Sequence, residues 1–326
     1  MSLIFADSLI DRQYAQKYDT VDGSHGDSTE SPRHGDFNVA RFSSGRGSRL
    51  GIKVDDLTDV SAGAASTARF GTRDPEDVLQ FLYDGSIVLA VTRDSAELIF
   101  HKDAYNDDGE ELYRTSHVPS NNDWLQYSMV VHVDGSDSRV QCWIGNDLVK
   151  IADVDLSAPH IDEVGLGLHD DVAHMDFWIA NGAPYGDVRC VPIRPGNVGE
   201  DDEWESSDSD KENWEQVYDT DTDEFVYTDT DGARDSHVHD GVTDDDSRPH
   251  VLAVTSTLRA TQTDDEDRTI ATSVRVGGNY YDDDPVTIGS EITLAYSVWT
   301  NNPDTDSSWT KDEVDDAEFG YVAGKP

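Results

Sequence analysis

The sequence predicts an all-β protein made of two successive antiparallel β domains, the first larger than the second. Short apolar runs and stretches of strict apolar–polar alternation recur along the chain, which is typical of strands packed on one face. Turn residues, mostly Gly, Asp and Asn, interrupt these runs about every ten residues. Helical periodicity is nearly absent. These three observations favour sheets over a helical bundle.

In the first domain, about a dozen segments carry a strand pattern. In chain order they cover residues 37–42, 49–54, 64–70, 78–83, 86–91, 97–102, 111–114, 124–133, 139–144, 147–152, 163–168 and 175–180. The connections at 83–86, 133–137 and 144–147 predict hairpins, because Gly supplies the positive φ that tight turns need. This spacing is the pattern of a two-sheet sandwich.

The second domain is also predicted to be β. Residues 251–263 and 269–276 alternate on either side of an acidic turn at 264–267. The glycines at 277–278 and the run at 282–285 predict turns.

One short helix is expected near the end of the second domain. Thr310 is a suitable N-cap, and Glu313 stands where it can complete a capping box, so a helical turn leading into a last strand is predicted. Residues 183–212 are dense in Asp and Glu and are predicted to be an extended acidic linker.

The chain carries a formal net charge of −44, with 68 Asp and Glu against 24 Lys and Arg in 326 residues. Only 7 of the basic residues are Lys, so the surface has few long apolar stems. Such a surface repels itself at ordinary ionic strength, whereas at molar salt a Debye length of about 3 Å screens the repulsion. We therefore expect a protein that folds in concentrated brine.

The same charge excludes some partners. Nucleic-acid binding requires a basic face, and the sequence shows no basic cluster. Membrane insertion is not predicted, because no apolar run reaches about 18 residues. Residues 1–7 lack the basic region of a secretory signal, so assembly inside a cell is expected.

The order of residues in the first domain resembles a known family. Trp124 opens an alternating strand, an acidic turn follows, and Trp143 precedes a Gly-Asn turn. Residues 161–180 continue with Ile-Asp-Glu-Val-Gly-Leu-Gly and later Met-Asp-Phe-Trp-Ile-Ala. These pieces resemble the central and closing strands of the concanavalin-A-like, laminin-G-like jelly roll. The resemblance covers residues 1–182 and implies a jelly-roll sandwich, although the second Asp of the family's closing motif is missing after Asp176.

A second resemblance covers the rest of the chain. Its aromatic- and glycine-bearing pieces lie at residues 185–195, 214–227, 234–236, 251–260, 275–280, 288–290, 298–306 and 309–320. Their composition and order resemble a family of tailed-virus virion proteins, which are usually tail, fibre or surface components of the particle. Asp306 replaces a turn Gly of that family, and a Pro pair after Trp214 is missing. The resemblance implies a virion assembly domain over residues 213–326.

Two pairs of residues are candidate metal ligands. Asp170 and Asp171 stand where related jelly rolls can hold a calcium ion, and hard oxygen ligands suit calcium; solvated loop carboxylates are the alternative. His237 and His239 would place two imidazoles on one face of a strand, and a polar turn is the alternative. No other cofactor is predicted, although calcium or monovalent cations could occupy the acidic loops.

The cysteines and tryptophans have structural and functional interpretations. Cys142 and Cys190 each lie in an apolar run, which favours two buried reduced thiols over a disulfide. Trp124, Trp143 and Trp178 could stack on sugars, but their positions within strands favour core packing.

No catalytic constellation stands out in the sequence. Glucanases of the jelly-roll fold place paired carboxylates on one strand as Glu-x-Asp-x-x-Glu, and no predicted strand has that spacing. The acidic run at 200–203 lies in the predicted linker. Nucleophile-elbow and phosphate-loop motifs are absent as well. The chain is therefore predicted not to be an enzyme.

Together these observations predict a structural surface component of a tailed virus with a halophilic host, such as a vertex turret, head fibre or tail-fibre-like part. It would form a trimer or pentamer, contact other virion proteins, and reside in the virion after assembly in the host cytoplasm. The alternative is a carbohydrate-binding adhesion module that contacts glycans on the host surface. A glycoside hydrolase is the third alternative.

Overall fold

A computed structural model of the protein describes residues 2–7, 20–21, 24–27, 40–43, 49–68, 76–94, 97–103, 109–115, 124–167, 172–182, 184–186, 188–217, 223–242, 250–263 and 267–324. The chain divides into two compact units, Met1–Cys190 and Val191–Pro326. Both are built of antiparallel sheets, so the predicted all-β class is confirmed.

The first unit contains two sheets. Its strands are β1 (Ser2–Asp7), β2 (Thr20–Val21), β3 (Ser24–Asp27), β4 (Ala40–Ser43), β5 (Arg49–Leu57), β6 (Asp59–Ala68), β7 (Glu76–Tyr83), β8 (Ser86–Asp94), β9 (Glu97–Lys102), β10 (Glu111–Arg114), β11 (Leu125–His132), β12 (Ser138–Ile144), β13 (Asp147–Val154), β14 (Ile161–Gly167) and β15 (Val172–Asn181). One sheet has the order β13-β12-β11-β6-β15-β4-β3, with β1 also pairing with β15, and the other has the order β10-β9-β8-β7-β14-β5-β2. Together they form the predicted jelly-roll-like sandwich.

The first unit buries large aromatic side chains from both sheets. Phe81 and Phe100 come from one sheet, and Tyr127, Phe177 and Trp178 come from the other; each is less than 2% exposed. Burial of this much apolar area is the main stabilising contribution in a sandwich of this size.

The three predicted hairpins are confirmed. Asp84 and Gly85 join β7 to β8 with φ values of 49° and 71°, a type I′ turn whose twist matches that of the strands. Gly145, with φ of 56°, begins the tight turn between β12 and β13. A 3-10 turn at Gly135–Asp137 joins β11 to β12.

Four elements of the first unit differ from the prediction. Strand β6 begins at Asp59, five residues before the predicted 64–70, because Ser61 and Ala62 are too small to produce an apolar alternation. Strand β1, which pairs along β15, was not predicted, and neither were the short strands β2 and β3. The predicted strand at 37–42 overlaps β4, and its first three residues lie outside the described part of the chain.

The second unit contains one larger and two small sheets. Its elements are β16 (Pro195–Asp202), β17 (Glu205–Ser206), α1 (Asn213–Gln216), β18 (Val226–Tyr227), β19 (Arg234–His239), β20 (Val254–Ala260), β21 (Arg268–Val276), β22 (Asn279–Asp282), β23 (Val286–Ile288), β24 (Thr293–Trp299), α2 (Lys311–Asp315) and β25 (Glu318–Gly324). The larger sheet has the order β16-β19-β25-β21-β22, with β23 also pairing with β21; β17 pairs with β18, and β20 pairs with β24.

The capping box at the start of α2 is confirmed. The Glu313 amide donates to Thr310 Oγ1, and Glu313 Oε2 accepts from the Thr310 amide at 2.8 Å. One other expectation differs from the structure. Part of the predicted acidic linker at 183–212 forms β16 and β17. The predicted strand segments at 251–263 and 269–276 form β20 and β21, which belong to different sheets.

The larger sheet of the second unit has one apolar and one polar face. Val274 and Phe319 pack with Trp309 on the apolar face, and Ile270 packs with Tyr321 further along it. Because successive side chains of a strand point to opposite faces, the neighbours of these residues lie on the other side of the sheet. That other side carries the charged cluster described below.

Candidate functional site

Pieces of the virus-like sequence order that are far apart in the chain converge on the polar face of the larger sheet. Ser236 of β19 lies opposite Gly320 of β25, and Gly320 lies opposite Ser273 of β21. In the next row, Glu318 lies opposite Arg275, and Arg275 lies opposite Tyr280 of β22. We call this group of residues, with Asp201, Arg234 and Asp282, the charged cluster.

Arg234 forms a bidentate ion pair at one end of the charged cluster. Its Nη1 and Nη2 donate to the two carboxylate oxygens of Asp282 at 2.6 and 2.5 Å. Nη1 also donates to Ser273 Oγ at 2.9 Å, and Ser273 Oγ donates to Asp282 Oδ1 at 2.7 Å. The hydrogen bonds from Arg234 hold the pKa of Asp282 below its usual value, so this carboxylate is ionised.

Glu318 is the main hydrogen-bond acceptor at the other end of the charged cluster. It accepts from Arg275 Nη1 at 2.6 Å, from Ser236 Oγ at 2.7 Å and from the Glu200 amide at 2.7 Å. Burial opposes ionisation of Glu318, but the hydrogen bonds and the Arg275 charge outweigh it and keep its pKa below the usual value. The Glu200 contact ties the edge strand β16 to β25.

Tyr280 lies between the two arginines. The Arg234 and Arg275 guanidinium carbons are 4.8 and 5.7 Å from the centre of its ring, within the range of cation–π attraction. Burial, assisted by a hydrogen bond with Asp201, raises the pKa of Tyr280 to about 12, so its hydroxyl stays protonated.

The charged cluster links neighbouring strands through ion pairs and hydrogen bonds. Each arginine is paired with its own carboxylate, and the carboxylates are ionised acceptors of several hydrogen bonds. No group of three or more His, Cys, Asp or Glu residues suited to a metal ion occurs in the described ranges. The cluster therefore joins strands β16, β19, β25, β21 and β22 across the face of the sheet.

Gly320 allows the strands beneath the cluster to approach closely. A Cβ atom at this position would stand 1.9 Å from the carbonyl oxygen of Asp235, a backbone atom that cannot move aside without shifting β19. Only glycine fits there.

We expect Gly320→Ala to lower the free energy of unfolding of the second unit by about 1–3 kcal/mol or more, because β19 and β25 must separate. Gly289→Ala is the matched control, since a Cβ there meets no atom within 4 Å. Denaturant unfolding in molar salt measures both variants. Equal stabilities for the two would contradict the close approach.

Asp235 organises the opposite face of β19. It is 1% exposed, and it accepts from the backbone amides of Glu203 and Trp204 at 2.8 and 2.9 Å. Asn213 Nδ2 and the Tyr321 hydroxyl donate to its second oxygen at 2.8 and 3.2 Å. Burial raises its pKa. Asp235 therefore holds the acidic segment after β16 and the start of α1 against the sheet.

The structure contradicts one of the two sequence interpretations of the histidine pair. His237 and His239 lie on one face of strand β19, as the first interpretation expected, so they do not form a polar turn. Metal binding by the pair stays a prediction. His237 Nε2 is 3.3 Å from the Tyr321 hydroxyl, and the His239 ring meets Phe319 edge-on at 5.3 Å. Burial lowers the pKa of each to about 4. They are neutral core residues with no third ligand among the residues described.

The other predicted site residues have varied outcomes. Asp170 and Asp171 lie outside the described residues, so the calcium site stays a prediction. Cys142 and Cys190 are not joined by a disulfide. Cys142 is buried, and burial raises its pKa to about 12, while Cys190 is half-buried. Trp178 is fully buried, as core packing requires.

Sequence reasoning missed one exposed feature. Phe225 and Tyr227 are 51% and 48% exposed at strand β18, with ring centroids 6.3 Å apart, and the Tyr227 hydroxyl donates to Glu205 at 2.9 Å. The Phe-Val-Tyr alternation could have indicated two rings on one face.

No helix in the described ranges is long and apolar enough to cross a bilayer.

No known family model matches the chain, and no curated protein matches it. In structure it is similar to a carbohydrate esterase from Shiga toxin-encoding bacteriophage phi24B, at 8% identity and a TM-score of 0.42 over 56% of this chain and 99% of that one. It is also similar to the binding domain of botulinum neurotoxin serotype D, at 8% identity and a TM-score of 0.40 over 93% and 98% of the two chains. A tetrameric galectin from the ball sponge Cinachyrella sp. matches at 12% identity and a TM-score of 0.30 over 41% and 99%. At these values the similarities support no conclusion about activity, ligand or partner.

Proposed function

We propose that the protein is a structural component on the surface of a tailed-virus particle with a halophilic host, as a vertex turret, head fibre or tail-fibre-like part, and that it is not an enzyme. The observation that carries the proposal is the charged cluster. Three of the pieces that resemble the virion family, at 234–236, 275–280 and 309–320, meet there and contact one another. They brace a sheet and leave no free nucleophile or base for a reaction.

The composition supports the halophilic part of the proposal. The second unit has 35 acidic and 9 basic residues, and Arg234, Arg275, Lys211 and Lys311 all form ion pairs with carboxylates. Because 35 acids stand against 9 bases, most carboxylates of this unit have no basic side chain to pair with. Dissolved cations must supply the missing positive charge, which concentrated brine does. Calcium or monovalent cations on the acidic loops belong to the same proposal.

The test is the presence and stoichiometry of the protein in particles. Virions purified in molar salt are expected to contain the chain, and the isolated protein is expected to behave as a trimer or pentamer in sizing and mass photometry under the same conditions. Antibody labelling of intact particles then places it on the outside. A persistent monomer that never copurifies with particles would contradict the proposal.

A second candidate function is adhesion to host glycans, favoured by the exposed rings of Phe225 and Tyr227. Aromatic rings that stand side by side in solvent, with a carboxylate at hydrogen-bonding distance, suit stacking on a sugar. A glycan array in molar salt tests this. The double variant Phe225→Ala with Tyr227→Ala is expected to lose binding, while Leu148→Ala, an exposed apolar residue of the first unit, keeps it. No binding by the unaltered protein removes this candidate.

A further inference from the structure

A buried arginine crosses the space between the two sheets of the first unit. Arg93 shares one face of β8 with Leu89 and Val91, which are fully buried, and is itself 3% exposed. Its Nη1 donates to the carbonyl oxygen of Ser66 at 3.1 Å and to Ser66 Oγ at 3.3 Å. Ser66 belongs to β6 of the opposite sheet, so the guanidinium spans the sandwich interior.

The positive charge of Arg93 is not neutralised by the part of the protein that the structure describes. Its hydrogen bonds go to uncharged oxygens of Ser66, and Nε has no hydrogen-bond partner. An arginine keeps its proton at any ordinary pH. Burying an unpaired charge is strongly unfavourable, and proteins normally place a carboxylate or another anion beside it.

Two further polar side chains face the same space. His174 of β15 lies opposite Ser66, and Tyr127 of β11 lies opposite Ala64, so both share the face of the sheet from which Ser66 meets Arg93. Both residues are fully buried. Within the described ranges, neither the Tyr127 hydroxyl nor either ring nitrogen of His174 forms a hydrogen bond of ordinary geometry, although Ser66 lies beside the Tyr127 hydroxyl and the Gly167 backbone beside the His174 ring.

The protonation states make these groups donors. Burial raises the pKa of Tyr127 well above its usual value, so the hydroxyl keeps its proton. Burial, together with the Arg93 charge, outweighs the opposing effect of the Gly167 backbone and lowers the pKa of His174 to about 4, so the ring is neutral at pH 7 and carries one N–H. The interior therefore presents an N–H of Arg93, an O–H and a ring N–H beside a fixed positive charge. Such a set suits an anion and repels a cation.

We propose that a chloride ion binds between the sheets of the first unit, held by Arg93, Tyr127 and His174. The enclosure sets the size of the ligand, because residues exposed by 0–3% leave no opening for an organic acid or a sugar. A halide is small, carries the single charge that Arg93 requires, and is abundant in the brine that the composition calls for. The site does not depend on the proposed role in a virion.

Chloride bound in this way stabilises the folded first unit by mass action. Stabilisation by bound chloride can be distinguished from the general screening of the surface carboxylates by salt. The first unit has 33 acidic and 15 basic residues, so the ions that screen it are cations. At molar concentration anions also differ in their general effect on protein hydration. That general effect is the same with or without the Arg93 side chain, so a difference between anions that Arg93→Met removes indicates a specific anion site.

The experiment compares thermal unfolding of the full chain in molar NaCl, NaBr and sodium gluconate at equal ionic strength. If chloride stands at about 100 times its Kd, the unfolding temperature of the first unit is expected to be roughly 5–10 °C higher in chloride than in gluconate. Bromide should act like chloride. Arg93→Met should remove the difference between the anions. Arg139→Met, which deletes an exposed arginine paired with Asp153, should keep it.

Two further measurements decide the matter if Arg93→Met fails to fold. Tyr127→Phe removes one donor and is expected to reduce the chloride–gluconate difference without abolishing it. Crystals grown in NaBr should show an anomalous bromide peak within hydrogen-bonding distance of Arg93 Nε. An equal unfolding temperature in all three salts, a difference that persists unchanged in Arg93→Met, or crystals without the peak would overturn the proposal.

Discussion

Transfer from molar to millimolar NaCl is expected to unfold the protein. The Debye length grows from about 3 Å at molar salt to about 30 Å at ten millimolar, so every carboxylate then interacts with many others across the surface. Net stabilities of domains are only about 5–15 kcal/mol, and a net charge of −44 is large enough to exceed that margin once screening is lost.

The second unit should unfold at a higher salt concentration than the first. Its 35 acidic and 9 basic residues are carried by 136 residues, whereas the first unit spreads 33 acidic and 15 basic residues over 190. Limited proteolysis along a salt dilution series, read by mass spectrometry, should show cuts after Val191 before cuts in the first sandwich. Sucrose in place of salt is the control for general stabilisation. A thermal melt that is the same in molar and millimolar salt would refute the halophilic interpretation.

Acidification from pH 7 to pH 5 is expected to destabilise the second unit in molar salt, because of His237 and His239. Their folded-state pKa values are about 4, below the usual 6.5, so the unfolded chain takes up protons that the folded chain cannot hold. Their contribution to stability is complete above pH 6.5 and is lost as the pH falls towards 4. Each histidine contributes at most about 3 kcal/mol over that window.

The carboxylates modify this profile in known directions. The pKa values of Asp282 and Glu318 are lowered, so their contributions to the free energy of unfolding are also lost as the pH falls. That loss occurs mainly at lower pH than the loss of the histidine contributions. Asp235, with a raised pKa, works in the opposite direction, since its folded form is protonated more readily than its unfolded form. The double variant His237→Gln with His239→Gln should flatten the slope of unfolding temperature against pH between 6.5 and 4. His132→Gln, at an exposed histidine of the first unit, should leave it unchanged. An equal slope in all three proteins would contradict the assignment.

The sequence predicted best those strands whose side chains alternate between large apolar and polar residues. Strands such as β8 and β11 bury several large residues each, so their pattern is visible without knowledge of the fold. The first half of strand β6 was not predicted, because its residues are small. They lie beside large side chains of β15, such as Trp178 opposite Gly63. The sequence of β6 alone does not show which large side chains a neighbouring strand will place beside it.

The charged cluster could be predicted only in its parts. The pieces around Arg234, Arg275 and Glu318 stood out by composition, and the turn at 282–285 marked Asp282. Their meeting depends on β25 lying between β19 and β21, a pairing that no local pattern encodes. In the same way, β20 pairs with β24 and not with β21, its neighbour in the chain, and no local pattern encodes that choice.

The central place of β25 also sets the timing of folding. Val322 pairs with Arg234 on one side and with Ala271 on the other, so the middle of the sheet closes contacts that are about 90 and 50 residues apart in the chain. During synthesis, β19 and β21 are made long before the strand that joins them and must wait with unpaired backbone edges. High contact order of this kind makes folding slow and exposes such edges to other nascent chains. At molar salt a Debye length of about 3 Å screens the carboxylates of neighbouring chains, so charge repulsion gives these waiting edges little protection.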